Sequence, residues 1–436
     1  MIGILIIPSR GQYRADSMIL VFAALGLVMW QLVDLVKGRR RDVREALVFR
    51  GVHLVLAVFL VSAIVDAKLL IDVDRSWWTL RTLSIIELVL LATYLHDGPS
   101  PASSESRWPA IRVALFGACL ALSAIEVVRL SPAPDIDVWT VQTAGAKALL
   151  EGQNPFVVVS VRNTTPGVFD SAPYLYPPFQ ALVTVPALLL GDVRFAMSSA
   201  LLLFGVAVRD ITLRSGRRLP PLLVDAPALL VWFSPKVLFI LQQAWIDPVQ
   251  IALIAGSTAL ALRKRAWAAA IGFGLVLAAK QTMFWVAPLA FVTFPLFRAR
   301  HALAAIALAA SFYLPFALWN WPALYHSTFG FVAGLPPRTD ALGFVNWASR
   351  AFGVRIPYAI AFPLAAAVVG WVMLRRRARP EVFGTALLIT YFVFFTINKW
   401  TFANYYFSLL GFAALAAALS TLADPKETSA GIIASR

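Results

Sequence analysis

The sequence is poor in the groups from which most soluble active sites are made. It has one cysteine, Cys119, so no intrachain disulfide can form. It has four histidines, and no His, Cys, Asp or Glu residues recur at the spacing of a zinc site. Neither GxGxxG nor a Walker A loop occurs, which leaves nucleotide handling without a sequence basis. Charged residues are only 14% of the 436, whereas 60% are hydrophobic. A soluble domain is about 45–50% apolar, and the mean hydropathy of +0.75 points away from that class. Long apolar–polar alternation is missing too, which removes a membrane β-barrel.

What the chain has instead is a succession of continuous apolar runs. Their length, about 17–25 residues, is what a helix needs to cross a bilayer. The reading is all-α: a polytopic integral membrane protein. The formal net charge of +15 would suggest nucleic acid in a soluble protein. Here Lys and Arg gather in short loops, as topology signals do, and nucleic acid is not an expected partner. The basic loops are Lys37–Arg41, Arg214–Arg218, Arg263–Arg265, Arg298–Arg300 and Arg375–Arg379.

Placing these loops in the cytoplasm orders the rest. Spans fall near 18–36, 49–70, 78–95 and 110–130, then 195–208, 222–241, 248–262, 266–279, 283–297, 302–318, 357–374, 382–397 and 401–420. That makes about thirteen transmembrane helices with a cytoplasmic tail at 423–436, counted on span length and loop charge. Residues 1–107 read as accessory helices added to a core over 108–422. The short apolar piece Phe179 to Leu190 reads as a re-entrant or surface helix, because the charge rule needs an odd number of crossings there. Two long stretches then face outward: 131–178, a first outer loop, and 319–356, a second.

The first outer loop holds two acids, Asp135 and Asp137, just beyond an apolar helix. A carboxylate in a partly dry cleft can act as general base toward a hydroxyl. Asp137 also stands at the head of the helical run Val138 to Glu151, with Gly152 after it, which is an N-cap and a glycine stop. The two roles are compatible. Lys280 sits at the outer apex of an apolar hairpin between basic loops; it reads either as a point charge for a phosphate or as a snorkelling lysine. Asp247, in the run Gln242–Pro248, reads mainly as a cap for the following span, the alternative being substrate binding or bracing. His326, a lone histidine of the second outer loop, reads as incidental, the alternatives being an acid/base or a donor ligand. Trp319, Trp321 and Tyr325 read as an interfacial aromatic belt.

Several strings, in this order, carry a resemblance. They are SPAPDIDVW from Ser131, AKALLEGQNPF from Ala146, YLYPP from Tyr174, QQAWIDP from Gln242, GFGLVLAAKQT from Gly272, GFVNWASR from Gly343 and INKWTFANYYF from Ile397. Together they resemble the GT-C superfamily of membrane glycosyltransferases, and among them glycosyltransferase family 87, some of whose members are mannosyltransferases. The resemblance implies an inverting transferase that takes a sugar from a polyprenyl-phosphate donor at the extracytoplasmic face. It implies Asp137 as catalytic base, with Asp135 as second choice. It implies Lys280, with Lys399 and Arg350, at the donor phosphate. Tyr176, Gln243, Asp247, His326, Asn346 and Asn398 are then the substrate-binding or supporting residues. Expected partners are membrane lipids, the lipid-linked sugar and a glycolipid, glycan or protein acceptor.

No metal site is assigned, since one or two acids do not make a convincing divalent site; metal use stays open, and the one co-substrate expected is the lipid-linked sugar donor. Two departures from the family pattern stand out: Trp139 replaces a frequent tyrosine, and the N-terminal helices are extra. The rival readings are a transporter or flippase of a lipid-linked substrate, and a lipid-linked glycan ligase or polymerase. A transporter places its charges near the bilayer midplane and shows internal repeats. Here the charges are expected on the outer rim, and no repeat is present.

Overall fold

The computed structural model describes residues 45–65, 78–97, 108–162, 171–215, 219–338, 340–374 and 379–422. The expected span near 18–36, the basic run Lys37–Arg41 and the tail 423–436 lie outside the described residues.

Apolar runs become helices because a lipid phase leaves backbone N–H and C=O groups no other partner. The described chain is accordingly helical: α1 (Glu45–Val65), α2 (Trp78–Asp97), α3 (Trp108–Leu130), α4 (Asp137–Leu150) and the short α5 (Pro155–Val158). A small antiparallel hairpin follows, β1 (Ser160–Arg162) and β2 (Ser171–Pro173), with Val161 opposite Ala172. Then come α6 (Pro178–Leu189), α7 (Arg194–Leu213), α8 (Pro221–Trp232), α9 (Val237–Gln242), α10 (Asp247–Leu262) and α11 (Ala266–Ala279). A 3-10 turn (Gln281–Trp285) leads to α12 (Val286–Thr293) and the long α13 (Ala299–Tyr325). A π turn (His326–Gly330) carries α13 into α14 (Phe331–Gly334). The chain closes with α15 (Phe344–Phe352), α16 (Ala361–Leu374), α17 (Pro380–Thr396) and α18 (Ala403–Ser420).

Among the described residues, five helical stretches are long and apolar enough to cross a membrane: Trp78–Leu95, Trp108–Leu130, Arg194–Leu213, Ala299–Gly334 and Ala403–Ser420. Eight further apolar stretches among the described residues are shorter, at 10–17 residues. Three expectations change. The expected short piece at 195–208 is the 20-residue α7. The expected span 222–241 is two helices, broken at Phe233–Lys236 where Ser234 and Pro235 interrupt it. The expected loop 319–356 is helical over much of its length: α13 runs on through Tyr325, and α15 occupies Phe344–Phe352. The expected start of that loop still leaves a mark. Asn320 has non-helical φ/ψ (−161°, 89°), and its Oδ1 accepts the Ala323 N–H at 3.0 Å, so it restarts the helix as a cap would. The expected re-entrant piece is the 12-residue α6, only about 18 Å long at 1.5 Å per residue.

At the centre of the bundle lies α10, which packs against α7, α11 and α18. Small residues permit the approach. The Gly272 face of α11 meets Ser257 of α10, and a Cβ on Gly274 would lie 2.8 Å from the Ala305 carbonyl of α13. Membrane helices gain their packing this way, since lipid supplies no hydrophobic drive between them. A second, smaller core sits apart from this one: Val141, Phe156, Ala172 and Tyr174 pack on Phe316 and Leu324 of α13. It fixes α4 and the β-hairpin onto the bundle.

Candidate active site

The carboxylate-bearing turn is stiff at both ends of α4. Ile136 is extended (φ −148°, ψ 132°) and is the residue before the helix; Asp137 is its first residue. The Asp137 Oδ1 accepts the Val138 N–H at 2.8 Å. The expected N-cap by Asp137 is therefore displaced by one position, and Ile136 contributes no side-chain cap. The expected glycine stop is present. Gly152 has φ +68°, its N–H reaches Leu149 O at 3.1 Å, and the Gln153 N–H reaches Ala148 O at 2.7 Å. That paired closure satisfies the last carbonyls of the helix. Asp135 is exposed and Asp137 half-buried. Burial raises the Asp137 carboxyl above its ordinary range; the Val138 N–H and the Arg338 guanidinium act in the opposite direction. A carboxylate raised this way is a stronger base than a solvated one.

A buried polar hub stands at the start of α10. Asp247 is fully buried. Its Oδ1 accepts Lys280 Nζ at 3.2 Å and Ser408 Oγ at 2.6 Å, and its Oδ2 accepts Asn404 Nδ2 at 3.2 Å. The cap-like role expected of Asp247 is thus corrected: no side-chain cap bond exists at the α10 start. The carboxylate turns inward because a buried charge is tolerable only when paired and hydrogen-bonded. Lys280 is 8% exposed and also lies over the Tyr405 ring at 4.8 Å. It follows α11 in extended backbone (φ −157°, ψ 134°), at the break between the two arms of its hairpin.

Gln281, next to Lys280, joins the hub to the first outer segment and to the π turn after α13. Gln281 Nε2 donates to Leu175 O and to Thr328 O, each at 2.9 Å. Tyr176 lies between the two halves: its phenol is pushed up by burial, and further by the charges of Asp137 and Asp247. The strings beginning at Ser131, Tyr174, Gln242, Gly272 and Ile397 therefore meet at one place.

The remaining expected residues divide. Lys399, pushed down by burial, spends Nζ bonds on Ala333 O (2.9 Å) and Leu335 O (2.7 Å) and covers the Tyr358 ring at 4.7 Å. It holds the end of α14, so the structure gives it a tethering part. Asn346 Nδ2 donates to Arg338 O (2.7 Å) and Ala341 O (2.8 Å), bracing the turn that carries Arg338. Asn398 lies in the α17–α18 turn and donates its N–H to Phe395 O at 3.0 Å. Gln243 is half-buried at the end of α9, just before Ala244, whose φ of 54° makes the sharp bend toward Asp247. Arg350 is exposed in the last turn of α15. His326 is exposed at the end of α13, beside Phe331.

Arg338 is the cation the sequence reading left out of the site. It is half-buried, forks onto Asp340 at 2.8 and 2.6 Å, and lies over the Phe402 and Trp400 rings at 5.0 and 5.5 Å. Asn404 and Ser408 were also missed, although their spacing of four on α18 puts both on one face. Among the described residues no three His, Cys, Asp or Glu side chains converge as metal ligands.

Beneath the hub runs an apolar groove of about 800 Å³ between α6, α7, α10 and α11. Its lining begins at Val249, two residues past Asp247, and at Leu275, five before Lys280; it ends at Asp210 and Arg263.

No curated protein and no solved structure matches the chain. A family model, that of glycosyltransferase family 87, matches residues 174–397, just over half of the 436. The match contains Tyr176, Asp247, Lys280 and Arg338, and begins after the turn that carries Asp135 and Asp137. The chain belongs to glycosyltransferase family 87 and is a membrane glycosyltransferase.

Proposed function

We propose that this enzyme moves a sugar, mannose or a similar hexose or pentose, from a polyprenyl-phosphate donor to an acceptor hydroxyl at the extracytoplasmic face, with inversion. The observation that carries this reading is the buried Asp247–Lys280 pair, two residues from the lining of an apolar groove; the charges of Asp137 and Asp247 both act on Tyr176, which supports Asp137 as part of the same site. A cation for the leaving phosphate and an apolar groove for the lipid suit a lipid-phosphate glycosyl donor, and a carboxylate suits the acceptor hydroxyl.

In the proposed step, the Asp137 carboxylate takes the proton of the acceptor hydroxyl. The acceptor oxygen forms a bond to the anomeric carbon from the face opposite the phosphate. The bond between that carbon and the phosphate oxygen breaks, and polyprenyl phosphate leaves with the electron pair. Lys280 and Arg338 stabilise the charge that grows on the phosphate. Lys280 reaches it as a point charge held in place by Asp247, and Arg338 through the guanidinium N–H groups that its fork onto Asp340 leaves over. Asp247 does not take part in the proton transfer; its lone pairs are engaged with Lys280, Ser408 and Asn404.

The test is transfer in membrane vesicles, supplied with polyprenyl-phosphate mannose and with a panel of other polyprenyl-phosphate hexoses and pentoses. Asp137→Asn is expected to lose about 10²- to 10⁴-fold of activity, the usual contribution of a positioned base. Asp135→Asn is expected to stay near wild type. An Asp137→Asn enzyme that folds and retains full activity rules out Asp137 as the base.

A further inference from the structure

The turn between α6 and α7 carries a buried ion pair that the chemistry above does not use. Arg194 is 2% exposed and Asp192 is 6% exposed. The guanidinium forks onto the carboxylate, Nε to Oδ1 and Nη2 to Oδ2, each at 2.7 Å. The Asp192 Oδ1 also accepts the Arg194 N–H at 2.8 Å. The pair reaches outward in two directions. Arg194 Nη1 donates to the Ser131 carbonyl at 2.8 Å. Trp139 Nε1 donates to Asp192 Oδ2 at 3.4 Å, and the guanidinium lies 5.8 Å from the Trp139 ring centre. Ser131 stands six residues before Asp137, and Trp139 two after it. One ion pair thus grips the chain on both sides of the carboxylate.

The grip extends to the other half of the site. Ser131 Oγ accepts Gln242 Nε2 at 3.3 Å. Ala244, at the bend toward Asp247, packs with Val193 and Ala146, and Trp139 joins the same cluster. The α6–α7 turn is therefore wedged between the segment that presents Asp137 and the segment that presents Asp247.

We propose that Arg194, held by Asp192, is a positioning residue for the glycosyl transfer: it sets the Asp137 carboxylate in register with the Asp247–Lys280 hub. The proposal rests on the reading of Asp137 as base. A buried guanidinium suits the task because its planar fork serves a carboxylate and a carbonyl at once in fixed directions. A lysine offers a compact point charge and no such geometry, so Arg194→Lys keeps the charge and loses the alignment.

The experiment compares wild type, Arg194→Lys, Trp139→Phe and Asp137→Asn in vesicles with the same panel of polyprenyl-phosphate sugars. Folded fraction is measured in parallel by size-exclusion and thermal unfolding in detergent. Arg194→Lys is expected to lower kcat per folded enzyme by roughly ten- to hundredfold, the scale of a slightly misplaced reacting group. The donor KM is expected to stay within about twofold, because no donor contact is altered. The acid limb of its kcat profile is expected to move to lower pH, since a loosened Asp137 is better solvated. Trp139→Phe is expected to lower kcat in the same sense by less. Arg194→Lys on the Asp137→Asn background is expected to cost nothing further.

A wild-type kcat for Arg194→Lys overturns the proposal, as does a loss that follows folded fraction with the acid limb unmoved. Should Arg194→Lys fail to fold, Trp139→Phe and the polar pair Asp192→Asn/Arg194→Gln decide on the same readouts. Active Asp137→Asn sinks the base assignment and this proposal with it. Inactive Asp137→Asn beside an unaffected Arg194→Lys sinks only the positioning role. If wild type turns over none of the panel, both fall.

Discussion

At the scale of single residues, environment assigns roles that residue type leaves open. Asp135 and Asp137 are the same side chain two positions apart. One is exposed, and the other is half-buried with its carboxyl raised by desolvation. The sign of a pH prediction follows. A base works only when deprotonated, so activity should fall with pH through the raised Asp137 value, above the ordinary carboxylate pKa of about 3.9. Arg338 pulls that value down. Arg338→Gln removes the pull, so the acid limb of a kcat profile should move to higher pH, opposite to the shift expected for Arg194→Lys. A pH–rate profile of the purified enzyme checks both. Asp247 and Lys280 make a prediction about stability. Removing one partner of a buried pair leaves the other charge uncompensated, at a cost of about 3–5 kcal/mol. Asp247→Ala should lower the thermal unfolding midpoint in detergent by far more than Asp135→Ala, which touches only an exposed side chain.

At the scale of elements, α4 is the part whose placement matters most, and its inner face tolerates little. Gly145 lies against the Tyr174 ring, and a Cβ there would overlap it. Tyr174 in turn packs edge-on against Phe156 at 5.4 Å, and Phe156 against Phe316 at 5.4 Å. Gly145→Ala should therefore push α4 off the small outer core and carry Asp137 with it. Activity should fall at least about tenfold while the main bundle, which does not contain this contact, keeps its unfolding midpoint. A vesicle assay with a detergent melt separates the two effects. The start and stop of α4 were legible in sequence to within one residue, because Gly152 and the proline-rich turn are local signals. The course of 319–356 was not: it read as one long outer loop between spans, whereas Asn320 only kinks a helix that continues. Proline inside a membrane helix is a weak stop, since neighbouring groups re-satisfy the freed carbonyl.

At the scale of the whole molecule, the N-terminal helices are bound to the core by a buried polar network. Tyr94 of α2 donates to Asp225 Oδ2 of α8 at 2.7 Å, and Arg209 Nε of α7 donates to Asp225 Oδ1 at 2.8 Å. Arg112 of α3 covers the Tyr94 ring at 3.9 Å and donates to Thr93 at 3.1 Å. Four helices meet there. Tyr94→Phe removes one donor from a fully buried carboxylate, and such losses cost about 1–3 kcal/mol. The expected outcome is a lower melting temperature with kcat per folded enzyme unchanged, because the network lies away from Asp137. A melt and an assay on the same preparation check it.

The class of the protein was set by local chemistry alone. Long apolar runs must be helices in lipid, and basic loops mark their ends, so an all-α membrane protein was readable from composition and order. The strings around Asp137, Tyr176, Lys280 and Asn404 were readable as separate motifs. What only the tertiary structure decided is which of them meet. Asp247 is paired with Lys280 because the packing of α10 against α11 brings the carboxylate at the start of one and the ammonium after the end of the other into one dry space, where neither can stay alone. The same packing sends Lys399 to helix-end carbonyls, brings the charge of Arg338 to bear on Asp137 and closes Arg194 around Ser131. Those outcomes depend on long-range burial, and no spacing along the chain encodes the dielectric a side chain will meet.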